Sequence, residues 1–267
     1  MFLFRILFFT CFLATVAQSQ EKPATFEFFP EQKLFPQLPA DALSHHISVS
    51  RLIRNRDWIG TIGASVAIMQ LDLEDISLQF SPAVSTFNRL IKPPGITVYT
   101  IDYKMDFMLD TRCENWTIRT GLGHYSCHFA DDGIEILGRS SIQSVRDYIV
   151  LGASYELPVI GGFVYGLGIY NYHIKPIENK HWNIQVGSEF GNIRLADFAH
   201  LYGAIDLKLK EEVAWGSTQS YQVGVRFFAA RSNALRVAYT LRRGFDERGQ
   251  FFNIREKADL LSLHFDL

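Results

Sequence analysis

Past residue 19 the 267-residue chain never offers the roughly 18 to 20 consecutive apolar residues that a membrane-spanning helix needs. Cysteine is scarce as well, with three in all: Cys11, Cys113 and Cys127. The last two lie on one extended pattern, about 46 Å apart at about 3.3 Å per residue, whereas a disulfide needs its Cα atoms within about 7 Å. Neither a disulfide nor a zinc-type ligand spacing is expected, and no cofactor or metal is called for. The net charge is only -2, so the basic patch that marks nucleic-acid binders is missing and no nucleic-acid partner is expected.

What the chain does have starts at its beginning. Residues 1–19 hold one arginine, an apolar run and a small-x-small end at Ala17-Gln18-Ser19, the layout of a cleaved secretory signal. Residues 20–44 carry four prolines and little periodicity, and are expected to form a periplasmic segment, a linker or a lid against the domain that follows. From 45 to 267 the pattern becomes alternation with a period of two.

The clearest example is the stretch 97–110. Tyr99, Ile101, Tyr103, Met105, Phe107 and Leu109 share one face, and Thr100, Asp102, Lys104 and Asp106 the other. A helix would scatter those charges around its circumference. Residues 163–169 likewise set Phe163, Tyr165, Leu167 and Ile169 against Gly166 and Gly168. Many segments exceed the ~9 to 11 residues that cross a bilayer as a tilted strand. Turns at one end, near Asp72, Glu114, 158–162, Asp197 and 231–233, are short. Connections at the other end, near 54–56, 92–94, 131–146, 175–180, 211–219 and 244–257, are longer.

These features predict an all-β fold: a transmembrane antiparallel β-barrel of about twelve strands with short periplasmic turns and longer extracellular loops. The expected location is the outer membrane of a Gram-negative bacterium, reached with the help of the outer-membrane assembly machinery. A homodimer is left open. Asp102, Lys104, Asp106, Arg119, Glu156, Glu189, Lys208, Arg226, Arg236 and Arg242 are expected inside, as a paired interior or as the lining of a narrow pore. Trp58, Trp116 and Trp182 fall at strand ends, where an aromatic girdle belongs. The GFDERG stretch, 244–249, reads as an exposed loop.

One stretch carries candidate chemistry. Residues 115–130, NWTIRTGLGHYSCHFA, place Trp116, Ile118, Leu122, His124, Ser126 and His128 on one strand face, the one toward lipid. An imidazole two residues from a hydroxyl can act as general base for a serine nucleophile. A third group must orient the imidazole, and Asp131, Glu135 and Asp147 are the carboxylates at hand. A lipid ester in the outer leaflet, of phospholipid or of lipopolysaccharide, is the substrate such a position suggests. The alternative is that these polar residues mark where the hydrocarbon band ends, on a non-catalytic barrel serving as adhesin, assembly factor or narrow pore. A third reading is a secreted β-sandwich.

The His124-Tyr125-Ser126 pair resembles the His-x-Ser pair on the lipid-facing wall of outer-membrane phospholipase A, a twelve-stranded barrel, and the similar arrangement in lipid A deacylase. Those families typically carry Asn after the serine, where this chain has Cys127. A closer resemblance is to the bacterial family catalogued as domain of unknown function 1207. It rests on Phe29-Pro30, Leu34-Phe35-Pro36, Leu38 and Ala40-Asp41 near the start. It also rests on a central H-x-S-x-H-x-x-D stretch, His124, Ser126, His128 and Asp131, and on Gly249-Gln250-Phe251-Phe252 near the end. That resemblance groups His128 and Asp131 with His124 and Ser126 and brings no established activity.

Overall fold

The computed structural model describes residues 23–55, 57–91, 97–227 and 234–266. The expected signal at 1–19, the turns at 92–94 and 231–233 and the terminal Leu267 lie outside the described residues. Successive strands are β1 Thr25–Phe28, β2 Ile47–Leu52, β3 Trp58–Ser65, β4 Met69–Asp72, β5 Ser77–Ile91, β6 Thr97–Cys113 and β7 Trp116–Phe129. A short helix, α1 Asp131–Leu137, precedes β8 Ser144–Leu157, β9 Gly162–Lys175, β10 Trp182–Ala196, β11 Ala199–Lys210, β12 Gly216–Phe227, β13 Ala234–Phe245 and β14 Arg255–Asp266.

Neighbouring strands from β5 through β14 pair antiparallel in chain order, and β14 then pairs with β2, β2 with β3 and β3 with β5. The ring closes on itself as an antiparallel barrel of twelve strands. β3 and β4 are two lengths of one wall strand, both pairing with β5. The break falls opposite Pro82, which has no N–H to give back. The chain between still donates to β5, from Val66 to the Pro82 carbonyl and from Ile68 to that of Phe80, both at 3.0 Å. β1 lies against β4 at the barrel's short-turn end.

Polarity is inverted relative to a water-soluble sandwich. On β6, Tyr103, Met105, Phe107 and Leu109 are exposed, while Asp102 and Asp110 are fully buried. A wall with its apolar side chains out and its charges in belongs in a bilayer. Trp116 and Trp182 stand exposed at opposite rims, packed on Tyr155 and Tyr170. In the lumen, Arg226 grips Glu189 through two hydrogen bonds of 3.1 and 2.8 Å. Arg119 holds Asp110 through two of 2.7 Å, and Arg146 holds Glu212 at 2.9 and 2.8 Å. Arg236 donates to Asp266. Buried charges survive only when paired in this way. Glu156 sits at the rim instead, bridged to Arg112 at 2.8 Å.

The N-terminal segment does not hang clear of the wall. After β1 the chain turns at Phe29 (φ 53) and runs through the lumen to His46, the residue before β2. Leu34, Phe35, Leu38, Ala40 and Asp41 are buried. Phe35 stacks under the Arg119 guanidinium, 4.0 Å from ring centre to Cζ. This segment explains a second departure. The apolar row of β9 faces inward, so that Phe163, Tyr165 and Leu167 are buried with Phe35, Leu38, Met108 and Val150 in one cluster. An apolar luminal row needs an apolar partner, and the segment supplies it.

The GFDERG stretch is likewise not exposed. Asp246, Glu247, Gln250, Phe251 and Phe252 are buried, and the connection after β13 folds back into the barrel mouth. Gln250 donates to the Cys127 carbonyl at 2.6 Å and to that of Ile142 at 2.8 Å. Gly249 lies so close that a Cβ there would be 2.3 Å from the Cys127 Sγ.

Candidate functional site on the outer wall

The candidate residues sit at the long-loop end of β7 and β8. The ladder sets His124 opposite Asp147 and Ser126 opposite Val145 on β8; on β6 their neighbours are Met105 and Tyr103. Alternation along β7 turns Gly123, Tyr125 and Cys127 inward, so His124, Ser126 and His128 face out. Glycine is needed at 123, because a Cβ would lie 2.2 Å from the Tyr148 ring, whose hydroxyl donates to Asp106 at 2.5 Å.

His124 Nδ1 stands 2.6 Å from Asp147 Oδ1. Of the three carboxylates named from sequence, Asp147 is therefore the one in contact with the imidazole. Its other oxygen takes a second imidazole, with His173 Nδ1 at 2.7 Å from Oδ2. The result is a row His124–Asp147–His173 across β7, β8 and β9, with the carboxylate less exposed than either ring. In that geometry Asp147 fixes the ring orientation of His124 and turns its Nε2 away from the carboxylate, as a catalytic base requires.

His173 is not among the candidates named from sequence, and a local irregularity brings it to the outer wall. The ladder between β8 and β9 steps from Asp147↔His173 to Tyr148↔Asn171, which leaves Tyr172 as an extra residue. Such a bulge shifts the parity of everything beyond it. His173 would otherwise face the lumen; with the bulge, both Tyr172 and His173 are exposed.

The other candidates are not drawn in. Among the described residues, Ser126 Oγ has no hydrogen-bond partner, and no bond joins it to His124. His128 packs beside Tyr103, with ring centres 6.1 Å apart. Asp131 and Glu135 are exposed on α1 and bond neither imidazole nor serine. α1 starts on Asp131 and Asp132, acids that suit a helix N-terminus, and ends at Gly138 with φ 62. It is a short cap on the β7–β8 connection.

Residues 14–266 match a family described as "Protein of unknown function (DUF1207)". No curated protein sequence matches the chain. Among solved structures, a BenF-like porin from Pseudomonas fluorescens Pf-5 overlaps 91% of this chain and 72% of its own, at 10% identity and a TM-score of 0.31. The outer membrane protein opdK from Pseudomonas aeruginosa overlaps 91% and 76%, at 11% identity and a TM-score of 0.31. Overlap this loose lends neither protein's properties to the chain.

Proposed function

The chain belongs to the DUF1207 family, and from that footing we propose that it is an outer-membrane hydrolase of lipid acyl esters working on its lipid-facing wall. The observation that carries this reading is the 2.6 Å contact of His124 with Asp147, with Ser126 two residues on along the same outward face. Ser126 Oγ attacks the ester carbonyl while His124 Nε2 takes its proton. The ester C–O bond then breaks and the proton passes to the departing alcohol. Water attacks the acyl-serine in turn, His124 again serving as base, and the fatty acid is released. Asp147 holds the ring and stabilises the imidazolium. Catalytic hydrogen bonds are often unformed before substrate arrives, so the unbonded Ser126 hydroxyl is compatible with this cycle. A closed barrel with an apolar belt supports the outer membrane as its location, and the signal expected at 1–19 accords with it.

A second reading is favoured by the same unbonded serine together with the sharing of Asp147 between two imidazoles. Here the row is a headgroup-level contact strip on a barrel without turnover. A lipid-like fluorophosphonate separates the two. The hydrolase reading expects covalent labelling of the folded barrel at Ser126, lost in Ser126→Ala and in His124→Ala. An unlabelled Ser126 in a barrel that still shows heat-modifiable gel mobility would sink it.

A further inference from the structure

A piece of chain that takes no part in the barrel's ladders lies inside the lumen. From Pro30 to His45 the segment adds no rung to any ladder of the barrel; its backbone-to-backbone bonds are local, Asp41 to Leu38 and Ser44 to Asp41, and its other backbone bonds go to wall side chains such as Gln79 and Lys104. What holds it, beyond the apolar cluster around Phe35 and Leu38, is mostly side-chain chemistry. Lys208 Nζ donates to Asp41 Oδ1 at 2.5 Å. His45 bridges Asp106 at 2.8 Å and Ser85 at 2.7 Å, and Gln37 donates to Asp266 at 2.8 Å. Removing the segment would break no bond that closes the ring.

The wall it covers carries more cations than carboxylates. Lys104, Arg119, Arg146, Lys208 and Lys210, from four strands, line one chamber of about 170 Å³ beside the segment, against Asp106, Glu212 and Glu247. Asp41 supplies a carboxylate to that group. Burial opposes its ionisation, but Lys208 and then Lys104 outweigh the burial and hold the carboxyl well below the usual range. Lys208 also holds the outer stopper, because Glu247 on the folded-back mouth connection lies 3.0 Å from the same Nζ. Glu247 is drawn down to about 2: burial opposes this, and Lys208 and Lys210 prevail. One lysine thus fastens both the luminal segment and the mouth connection.

We propose that the protein is a gated channel for small anions, carboxylates included, in which the luminal segment is the gate and the Asp41–Lys208 pair its latch. Asp41 occupies, as a tethered carboxylate, the place a passing anion takes when the gate is out. Unlatched, Lys208 and its cationic neighbours face a water-filled lumen and set anion preference, as charge rings do in pores. This inference uses none of the outer-wall residues and stands or falls separately from the hydrolase reading.

The test is the full chain in planar bilayers under a potassium chloride gradient. Wild type is expected to be closed at rest. Asp41→Lys should raise the open-channel current at least about tenfold, the cost of losing a paired buried charge being several times RT, with a reversal potential on the anion side. If Asp41→Lys loses heat-modifiable mobility, Asp41→Asn, which removes the charge without reversing it, carries the same expectation. The proposal is overturned by a folded Asp41→Lys or Asp41→Asn variant that conducts no more than wild type, by wild type already conducting at the variant's level, or by a cation-side reversal potential.

Discussion

His124 and Asp147 face each other across the β7–β8 ladder, Nδ1 to Oδ1 at 2.6 Å, on the side of the wall that meets lipid. If that contact orients a catalytic base, Asp147→Asn should leave the fold intact, since the residue is outward-facing, and should cut acyl hydrolysis by about 10³ to 10⁴, as wrong-tautomer variants of such triads do. Rates on lipid ester with purified barrel, beside heat-modifiable mobility as the folding control, check this.

His173 shares the carboxylate from the opposite side, 2.7 Å from its second oxygen. It touches Asp147 rather than Ser126 or His124, so it is a positioning residue. His173→Gln should reduce turnover far less than Asp147→Asn, within about tenfold, or about 1.4 kcal/mol. Equal losses in both variants would make His173 part of the reacting set.

Arg226 and Glu189 form a buried, two-pronged pair in the lumen. Breaking it by Arg226→Ala should destabilise the barrel by about 3 to 5 kcal/mol, because the buried Glu189 carboxylate loses its two-pronged cation. The double variant Arg226→Met with Glu189→Leu should recover most of that loss. Urea unfolding in lipid vesicles reads both.

A side chain at 249 has nowhere to go: a Cβ would be 2.3 Å from Cys127 Sγ and 2.4 Å from Ser144 Oγ. Gly249→Val should therefore lift the mouth connection and expose Cys127, which is otherwise completely buried. In a Cys113→Ser background, maleimide should label Cys127 readily in Gly249→Val and barely in the parent.

Docking of the luminal segment should depend on pH through His45. Burial first and Lys104 second hold its imidazole below the ordinary value, against the pull of Asp106. A released segment takes up the proton more easily than a docked one. Docking is thus at full strength above the ordinary imidazole value of about 6.5 and weakens as the pH falls below it. The depressed carboxyl of Asp41 adds a contribution lost only at lower pH, below the ordinary carboxylate value of about 3.9. A cysteine introduced at Gln37 should react faster with maleimide at about pH 5.5 than at about pH 7, after correction for thiolate fraction.

Much of the barrel was legible because a strand's period of two puts lipid-facing and lumen-facing residues in alternate positions. The faces of β6 and β7, and so the outward aim of His124 and Ser126, follow from parity alone. Parity failed at three places, each for a local reason. The bulge at Tyr172 re-aimed His173. The inward apolar row Phe163, Tyr165 and Leu167 answers a partner, Phe35 and Leu38, that sits in an aperiodic stretch. The connection around Glu247 and Gln250 looks like a polar loop, yet its polar atoms are satisfied by Lys208 and by the backbone of Cys127 and Ile142 inside the mouth. Which of Asp131, Glu135 and Asp147 meets the imidazole was a question of cross-strand register, which a sequence does not specify by itself.

Fatty-acid release decides the central claim most directly. Purified barrel in vesicles containing acyl-labelled phospholipid or lipopolysaccharide should release labelled fatty acid, and Ser126→Ala, still heat-modifiable, should release none. No release by the folded wild-type barrel from either lipid, or equal release by wild type and Ser126→Ala, would contradict the account.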